Sequence, residues 1–330
     1  MLQLLIPLFD RVAVAVLLCQ LSPVLLDLLH VNPYPPLSRP PIKSMRLNSG
    51  ADFKCARRRS LWLMIKNSFL FLDRVGYRTE ERLWRQGILT WEDFLGCSGV
   101  AGISAREKER HDREIERACE CLGKGDSRYF RERLKPREHW RLYPEFKDRA
   151  CYIDIETTGL SPSTSDVTVV GIYGGGEFRS FVKGSNLTGE ALAEELSRYR
   201  LIISFYGSAF DVPFLLSRYP ELRLDQPHID LCFTGRRIGL RGGLKAIERE
   251  IGIRRESDVA DVDGFEAVRL WRKWERDGDR SALEKLLEYN QADVESLSTL
   301  AETIYQKMRA RTFLNITSNE GHRKIHIGPE

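Results

Sequence analysis

The most constraining feature of the sequence is a pair of carboxylates inside an apolar run. In CYIDIETTGL, residues 151–160, Asp154 and Glu156 are separated by a single isoleucine. Side chains alternate between the two faces of a β-strand, so both acids project from one face while Ile153 and Ile155 project from the other. Two neighbouring carboxylates repel each other unless a cation or a raised pKa relieves the repulsion. The pair therefore indicates a divalent metal site, near the carboxyl end of a strand that a TTGLSP turn terminates.

The chain beyond this strand alternates strand and helix patterns, which is typical of an α/β domain. Three consecutive glycines, Gly174, Gly175 and Gly176, predict a tight reversal between two strands. The apolar patterns predict strands over residues 150–155, 168–173, 177–182 and 201–205, and helices over residues 187–199, 209–217, 242–251, 265–274 and 281–308.

Further acids follow at positions that suit the same metal site. Phosphoryl chemistry on divalent metals needs more oxygen ligands than two carboxylates. Asp211, in SFYGSAFDVPFLL, follows a buried strand at the start of a helix, and Asp293 lies in LLEYNQADVESL. Tyr289 precedes Asp293 by four residues, so the two lie one helical turn apart on the same face.

Four acids in the order Asp, Glu, Asp, Asp, with a tyrosine four residues before the last, match the DEDD exonucleases of the Tyr-containing subtype. Residues from about 140 to 300 carry HWRLYPEF, YIDIETTGL, VTVVGIY, FDVPFL, HIDL, GLRGGLKAIE, AVRLW and LEYNQADVESL. This block resembles the YprB-like RNase H-like domain family, predicted 3′–5′ exonucleases. The resemblance covers about half of the chain and implies an RNase H-like mixed central sheet flanked by helices. Relatives usually carry Asn where this chain has Tyr206.

The resemblance also implies a mechanism. Asp154, Glu156, Asp211 and Asp293 would hold two Mg²⁺ or Mn²⁺ ions roughly 4 Å apart, and Tyr289 would position the attacking water. The implied activity is metal-dependent 3′–5′ hydrolysis of phosphodiester bonds in DNA or RNA, on single strands or 3′ ends. A structure-specific endonuclease and a catalytically silent nucleic-acid-binding scaffold remain alternatives.

Five residues near these motifs are predicted to contact nucleic acid. Tyr206 and Phe210, beside the third acid, would stack on bases. Arg241 and Lys245, at a glycine-containing helix start, would bind a substrate phosphate, although a plain glycine turn before an exposed helix explains them nearly as well. Thr157, in the turn after the first two acids, completes the set.

Two other groups are expected to be structural. His228 and Asp230, in HIDL, predict a buried, hydrogen-bonded pair rather than a catalytic one. Trp271 and Trp274 lie three residues apart on one helical face and are expected in the core.

Residues 64–145 predict a helical region ahead of the α/β domain, residues 146–310. Within it, VGYRTE, residues 75–80, looks like a helix-hairpin-helix turn, in which a glycine lets the chain reverse and backbone N–H groups face a phosphate. A small helical bundle with a glycine turn fits equally well.

The two ends of the chain are assigned separately. Residues 1–63 are expected to be a disordered extension or a start-site artefact, with Met64 the native start, although a membrane or partner anchor is the competing interpretation. The uncharged run at 12–26 is shorter than the roughly 20 residues that span a bilayer, so no membrane association is expected. Residues 311–330 are assigned as a tail. Seven cysteines without regular spacing suggest reduced thiols and a cytoplasmic location.

Overall fold

The computed structural model describes residues 64–254 and 264–317. The predicted extension, residues 1–63, and residues 318–330 of the predicted tail lie outside the described residues. The described chain contains a five-stranded sheet in the order β3-β2-β1-β4-β5. The strands are β1 (Ala150–Thr157), β2 (Val167–Gly174), β3 (Glu177–Val182), β4 (Leu201–Ser204) and β5 (His228–Asp230).

The sheet is mixed, as predicted for this fold class. Strand β1 pairs antiparallel with β2 and parallel with β4. The turn between β2 and β3 places Gly175 and Gly176 at φ 64° and 85°, a left-handed conformation that glycine adopts without a Cβ clash. Sequence patterns located the first four strands to within two residues at each end, but the three-residue strand β5 was not predicted as a strand.

Helices cover both faces of the sheet. The longest helix, α11, packs against β1, β2, β3 and β4. It thereby brings Asp293 close to β1, the strand that carries Asp154 and Glu156. The helices are α1 (Tyr77–Arg85), α2 (Trp91–Gly96), α3 (Ala105–Gly123), α4 (Arg128–Arg133), α5 (Tyr143–Phe146), α6 (Gly189–Ser197), α7 (Asp211–Arg218), α8 (Leu231–Arg236), α9 (Leu244–Ile251), α10 (Gly264–Asp277) and α11 (Arg280–Thr317).

The central strand separates two apolar clusters. Ile153 and Ile155 pack under one face of the sheet with β2, α6 and α7. Tyr152 faces the opposite cluster, which includes Leu300 of α11. The predicted alternation along β1 is therefore present, and it turns Asp154 and Glu156 toward the side on which α11 packs.

The N-terminal helical region shares a core with the sheet. Trp91 of α2 and Phe130 of α4 belong to the same buried cluster as Tyr152 of β1. At the predicted hairpin turn, the left-handed backbone conformation falls on Arg74, with φ 60°, while Gly76 has φ −104° and caps α1. The expectation that glycine supplies the reversal was thus wrong, because the chain turns two residues earlier.

A buried ion network joins α1 to the segment before the sheet. Arg141 donates to Glu80 at 3.1 Å and to Glu138 at 2.8 Å, and all three side chains are buried. Tyr77 donates to Glu138 at 2.7 Å, and Arg237, just after α8, donates to the same carboxylate at 3.0 Å. Buried carboxylates of this kind require paired donors, so the network fastens the N-terminal helices to the α/β domain.

The described residues include no helix that is both long enough and apolar enough to cross a membrane.

Candidate metal centre

Three predicted acids converge at the carboxyl end of β1. Asp154 and Glu156 project from the strand and Asp293 from α11, and each offers a carboxylate oxygen within 4.8 Å of those of the other two. Glu156 and Asp293 are buried, whereas Asp154 is half-buried. The strand period explains why the first two share a face, and the packing of α11 across the sheet supplies the third.

Asp211, the remaining predicted acid, lies beside this triad at the start of α7. It is buried, and its negative charge raises the pKa of Glu156. Burial is the main cause of the raised pKa of Glu156, followed by the charges of Asp293 and Asp211. Burial likewise raises the pKa of Asp211 to about 7, with a further contribution from Asp230. The structure thus gathers all four predicted acids into one low-dielectric region.

The loop that delivers Asp211 has a strained backbone. Tyr206 adopts φ 67°, a left-handed conformation that is unfavourable for a bulky residue. Asp230 at the end of β5 restrains it, accepting hydrogen bonds from the N–H of Tyr206 at 3.1 Å and the N–H of Ser208 at 3.0 Å. A Cβ on Gly207 would lie 2.1 Å from Ser204 Oγ, so only glycine fits where the loop passes β4.

Tyr289 lies one turn before Asp293 on α11 and hydrogen-bonds to it. Burial raises the pKa of Tyr289 strongly, and the negative charges of Asp293, Glu156 and Asp154 raise it further. The phenol therefore stays protonated at neutral pH. The ammonium group of Lys245, on α9, lies 5.2 Å from the centre of the Tyr289 ring, so the packing brings this predicted phosphate ligand to the acidic cluster.

The donor set suits a hard divalent cation. All four candidate ligands are carboxylates, and Mg²⁺ and Mn²⁺ prefer oxygen ligands. Several carboxylates crowded in a buried region repel one another, and a bound cation relieves that repulsion. The residues present therefore fit a metal of this class.

The other residues that were predicted to contact nucleic acid differ in their exposure to solvent. Thr157 donates from Oγ1 to the carbonyl of Gly159 at 2.6 Å, which stabilises the turn after β1. Phe210 is half-buried, and its ring centre lies 4.7 Å from that of Phe214. Arg241 is exposed in the loop before α9.

The ring of Tyr206 is buried rather than open to solvent. It is only 8% exposed and lies 5.6 Å from the ring of Phe233 on α8. Phe233 is itself 41% exposed, and the guanidinium of Arg236 lies 5.3 Å from its ring centre. Sequence reasoning did not single out Phe233, because a lone aromatic after a short strand carries no periodic signal.

His228 and Asp230 were predicted to be a buried, hydrogen-bonded pair. Asp230 is buried, whereas His228 is half-buried. His228 Nε2 bonds Ser204 Oγ at 2.8 Å, while Asp230 accepts hydrogen bonds from the N–H groups of Tyr206 and Ser208, so the two residues bond different groups. Trp271 is buried in an apolar cluster against which Trp274 packs.

Asn290 is a second residue that sequence reasoning missed. Its Nδ2 donates to Asp154 Oδ2 at 2.9 Å, and the side chain also hydrogen-bonds Glu156. Its place in the motif could have revealed it, because Asn290 precedes Asp293 by three residues and so shares its helical face.

Comparison with known proteins agrees with this architecture. Residues 151–305 match the model of the RNase_H superfamily. The uncharacterized protein MJ0365 of Methanocaldococcus jannaschii is 28% identical over 168 residues, which cover 43% of this chain and 88% of the relative.

Part of the chain is also similar to two solved structures. The family B DNA polymerase of Pyrobaculum calidifontis gives a TM-score of 0.40 at 15% identity, over 47% of this chain and only 24% of the polymerase. Brucella melitensis NrnC with bound Mg²⁺ gives 0.37 at 22% identity, over 55% of this chain and 91% of NrnC. The mixed sheet and the superfamily match together show that residues 151–305 have an RNase H-like fold.

Proposed function

We propose that the protein is a metal-dependent 3′–5′ exonuclease that hydrolyses phosphodiester bonds in nucleic acid. The convergence of Asp154, Glu156 and Asp293 within 4.8 Å carries the proposal. Asp211 and Tyr289 lie beside these three carboxylates, in the order and spacing that the Tyr-containing DEDD exonucleases share. The superfamily match over the same residues supports it.

The four carboxylates would hold two divalent ions. Bound ions of this class lower the pKa of a coordinated water and stabilise charge on a leaving oxygen. The protein's own contribution is orientation, since the carboxylates project from β1, α7 and α11, elements packed in one domain. In the metal-free protein the phenol of Tyr289 keeps its proton, because burial and the three nearby acids raise its pKa. A protonated phenol at this place would donate a hydrogen bond that orients the attacking water.

Cationic and aromatic side chains near the acids would bind the substrate. The ammonium group of Lys245, next to the Tyr289 ring, is positioned for a phosphate close to the scissile bond. Phe233 presents an exposed ring beside the Asp211 loop, with Arg236 next to it. An exposed ring with a neighbouring guanidinium suits stacking of an unpaired base, which favours a single strand or a frayed 3′ end over intact duplex.

The test is digestion of 5′-labelled single-stranded DNA and RNA in Mg²⁺ or Mn²⁺, with EDTA as the metal-free reaction. We expect a ladder that shortens from the 3′ end and no product in EDTA. Asp154→Asn and Asp293→Asn should abolish the ladder. Asp148→Asn, the same change at an exposed position away from the site, should leave it intact.

Three results would contradict the proposal. Discrete internal cuts would identify an endonuclease. Binding of the strand without any cleavage would identify a scaffold. Nuclease activity that survives both aspartate substitutions would contradict the assignment of Asp154 and Asp293 to the active site.

A further inference from the structure

Asn290 links the two acids of β1 through one buried amide. The side chain is completely buried on α11. Its Nδ2 donates to Asp154 Oδ2 at 2.9 Å, and its hydrogen bond to Glu156 lowers the pKa of that carboxyl against the rise that burial causes. A neutral donor between two like charges holds them in place without adding or removing charge.

Gly171 on β2 provides the space that this amide occupies. Gly171 is the register partner of Asp154 in the antiparallel pair. A Cβ at this position would lie 1.9 Å from Asn290 Oδ1 and 2.8 Å from its Cγ. No real side chain tolerates such a contact, so any residue other than glycine would displace the amide.

The glycine at 171 is needed for space and not for backbone freedom. Its φ lies outside the left-handed range, whereas the turn residues Gly175 and Gly176 have φ 64° and 85°. Glycine is unfavourable inside a strand and often marks a close approach of another group. Here the approaching group is the amide that bonds Asp154.

We propose that Asn290 and Gly171 form a positioning pair that sets the carboxylates of Asp154 and Glu156 for divalent-cation binding. The inference rests on the proposed metal-dependent function, because it names residues that support the same site. Groups that orient metal ligands typically change metal affinity by about 10-fold to 100-fold when they are removed.

Mn²⁺ binding by the purified full-length chain, measured calorimetrically without nucleic acid, tests the pair. Asn290→Ala should weaken binding by roughly 10-fold to 100-fold. Gly171→Ala should weaken it comparably, although it removes no polar atom. Asn290→Ser, a shorter side chain that keeps a donor, should fall between the wild type and Asn290→Ala. Gln291→Ala, at the next position of α11, and Gly123→Ala, where an added Cβ meets nothing within 4 Å, are the matched controls.

A double-mutant cycle separates positioning from a general packing defect. The added Cβ of Gly171→Ala collides with the amide, so its effects should largely disappear once Asn290 is alanine. In EDTA, Gly171→Ala should lower the Tm of the wild type clearly and the Tm of Asn290→Ala much less. Gly171→Ala should likewise weaken Mn²⁺ binding by the wild type. The double variant should bind Mn²⁺ as weakly as Asn290→Ala does, with no further loss.

The outcomes distinguish this inference from the proposed function. Wild-type protein that binds Mn²⁺ but hydrolyses no oligonucleotide contradicts the exonuclease proposal and, if the variants lose affinity as expected, supports the positioning pair. Unchanged Mn²⁺ affinity in Asn290→Ala, or additive losses for the two substitutions, overturns the positioning pair whatever the nuclease activity.

Discussion

Asp211→Asn is expected to stabilise the metal-free protein while it abolishes hydrolysis. Burial, with a smaller contribution from Asp230, raises the pKa of Asp211 from 3.8 to about 7. The folded protein therefore binds this proton more tightly than the unfolded chain does. Stability falls as pH rises between these two values, and the whole penalty is present above about pH 7. A neutral amide at position 211 carries no such penalty.

The size of the effect follows from the pKa. A tenfold change in a proton-binding constant is about 1.4 kcal/mol, so a rise from 3.8 to about 7 corresponds to about 4 kcal/mol against the ionised form. The pKa of about 7 already includes the hydrogen bonds that the carboxylate accepts from backbone N–H groups. We expect Asp211→Asn to raise the free energy of unfolding by about 4 kcal/mol at pH 8.

The assay is urea unfolding in EDTA at pH 4, 6 and 8, with Asp148→Asn as the exposed control. The gain from Asp211→Asn should be largest at pH 8 and small at pH 4, where the folded carboxyl is protonated and the unfolded carboxyl, with its ordinary pKa of 3.8, is only partly ionised. With Mn²⁺ added, the wild type should become more stable than Asp211→Asn, because it gains metal-binding free energy that the amide variant lacks.

Two outcomes would refute the reasoning. If Asp211→Asn is less stable than the wild type at pH 8 in EDTA, the buried carboxylate is not under electrostatic strain. If its gain is the same at pH 4 and pH 8, the stabilisation does not come from ionisation.

Four further predictions concern the site and the ion network. Tyr289→Phe should lower kcat roughly 100-fold with little change in KM, in steady-state oligonucleotide kinetics, because it removes only the water-orienting hydroxyl. Lys245→Met should raise KM and reduce the salt dependence of binding by about one phosphate contact, measured by a salt titration of affinity. Phe233→Ala should weaken single-strand binding by about 1 to 3 kcal/mol, and Phe233→Tyr should restore it in a fluorescence anisotropy titration. Burial opposes ionisation of Glu138, but two arginines hold its pKa below 4.5, so its charge stabilises the fold above that pH. Glu138→Gln should therefore destabilise the protein by about 3 kcal/mol at pH 7 in urea unfolding, and the loss should shrink as pH falls below 4.5.

Much of the architecture follows from local patterns. The period of two along 151–157 placed Asp154 and Glu156 on one face, and β1 confirms it. The four-residue spacing of Tyr289 and Asp293 placed them on one face of a helix, as α11 confirms. Strand β5 was missed because three residues are too few to express a period. The hairpin glycine was misassigned, since Arg74 and not Gly76 has the left-handed conformation.

The sequence by itself determined which side chains share a face, because backbone periodicity within one strand or helix is a local property. The sequence was therefore enough to predict the four acids, the tyrosine and the alternation of side chains along the first strand. Only the tertiary structure decided how β1, β2 and α11 come together, since register and helix docking depend on residues far apart in the chain. In the sequence, Gly171 looks like any other strand residue, and its importance appears only when α11 packs Asn290 against it. The pKa of Asp211 is likewise raised only in the folded protein, where packing excludes water from its carboxyl group.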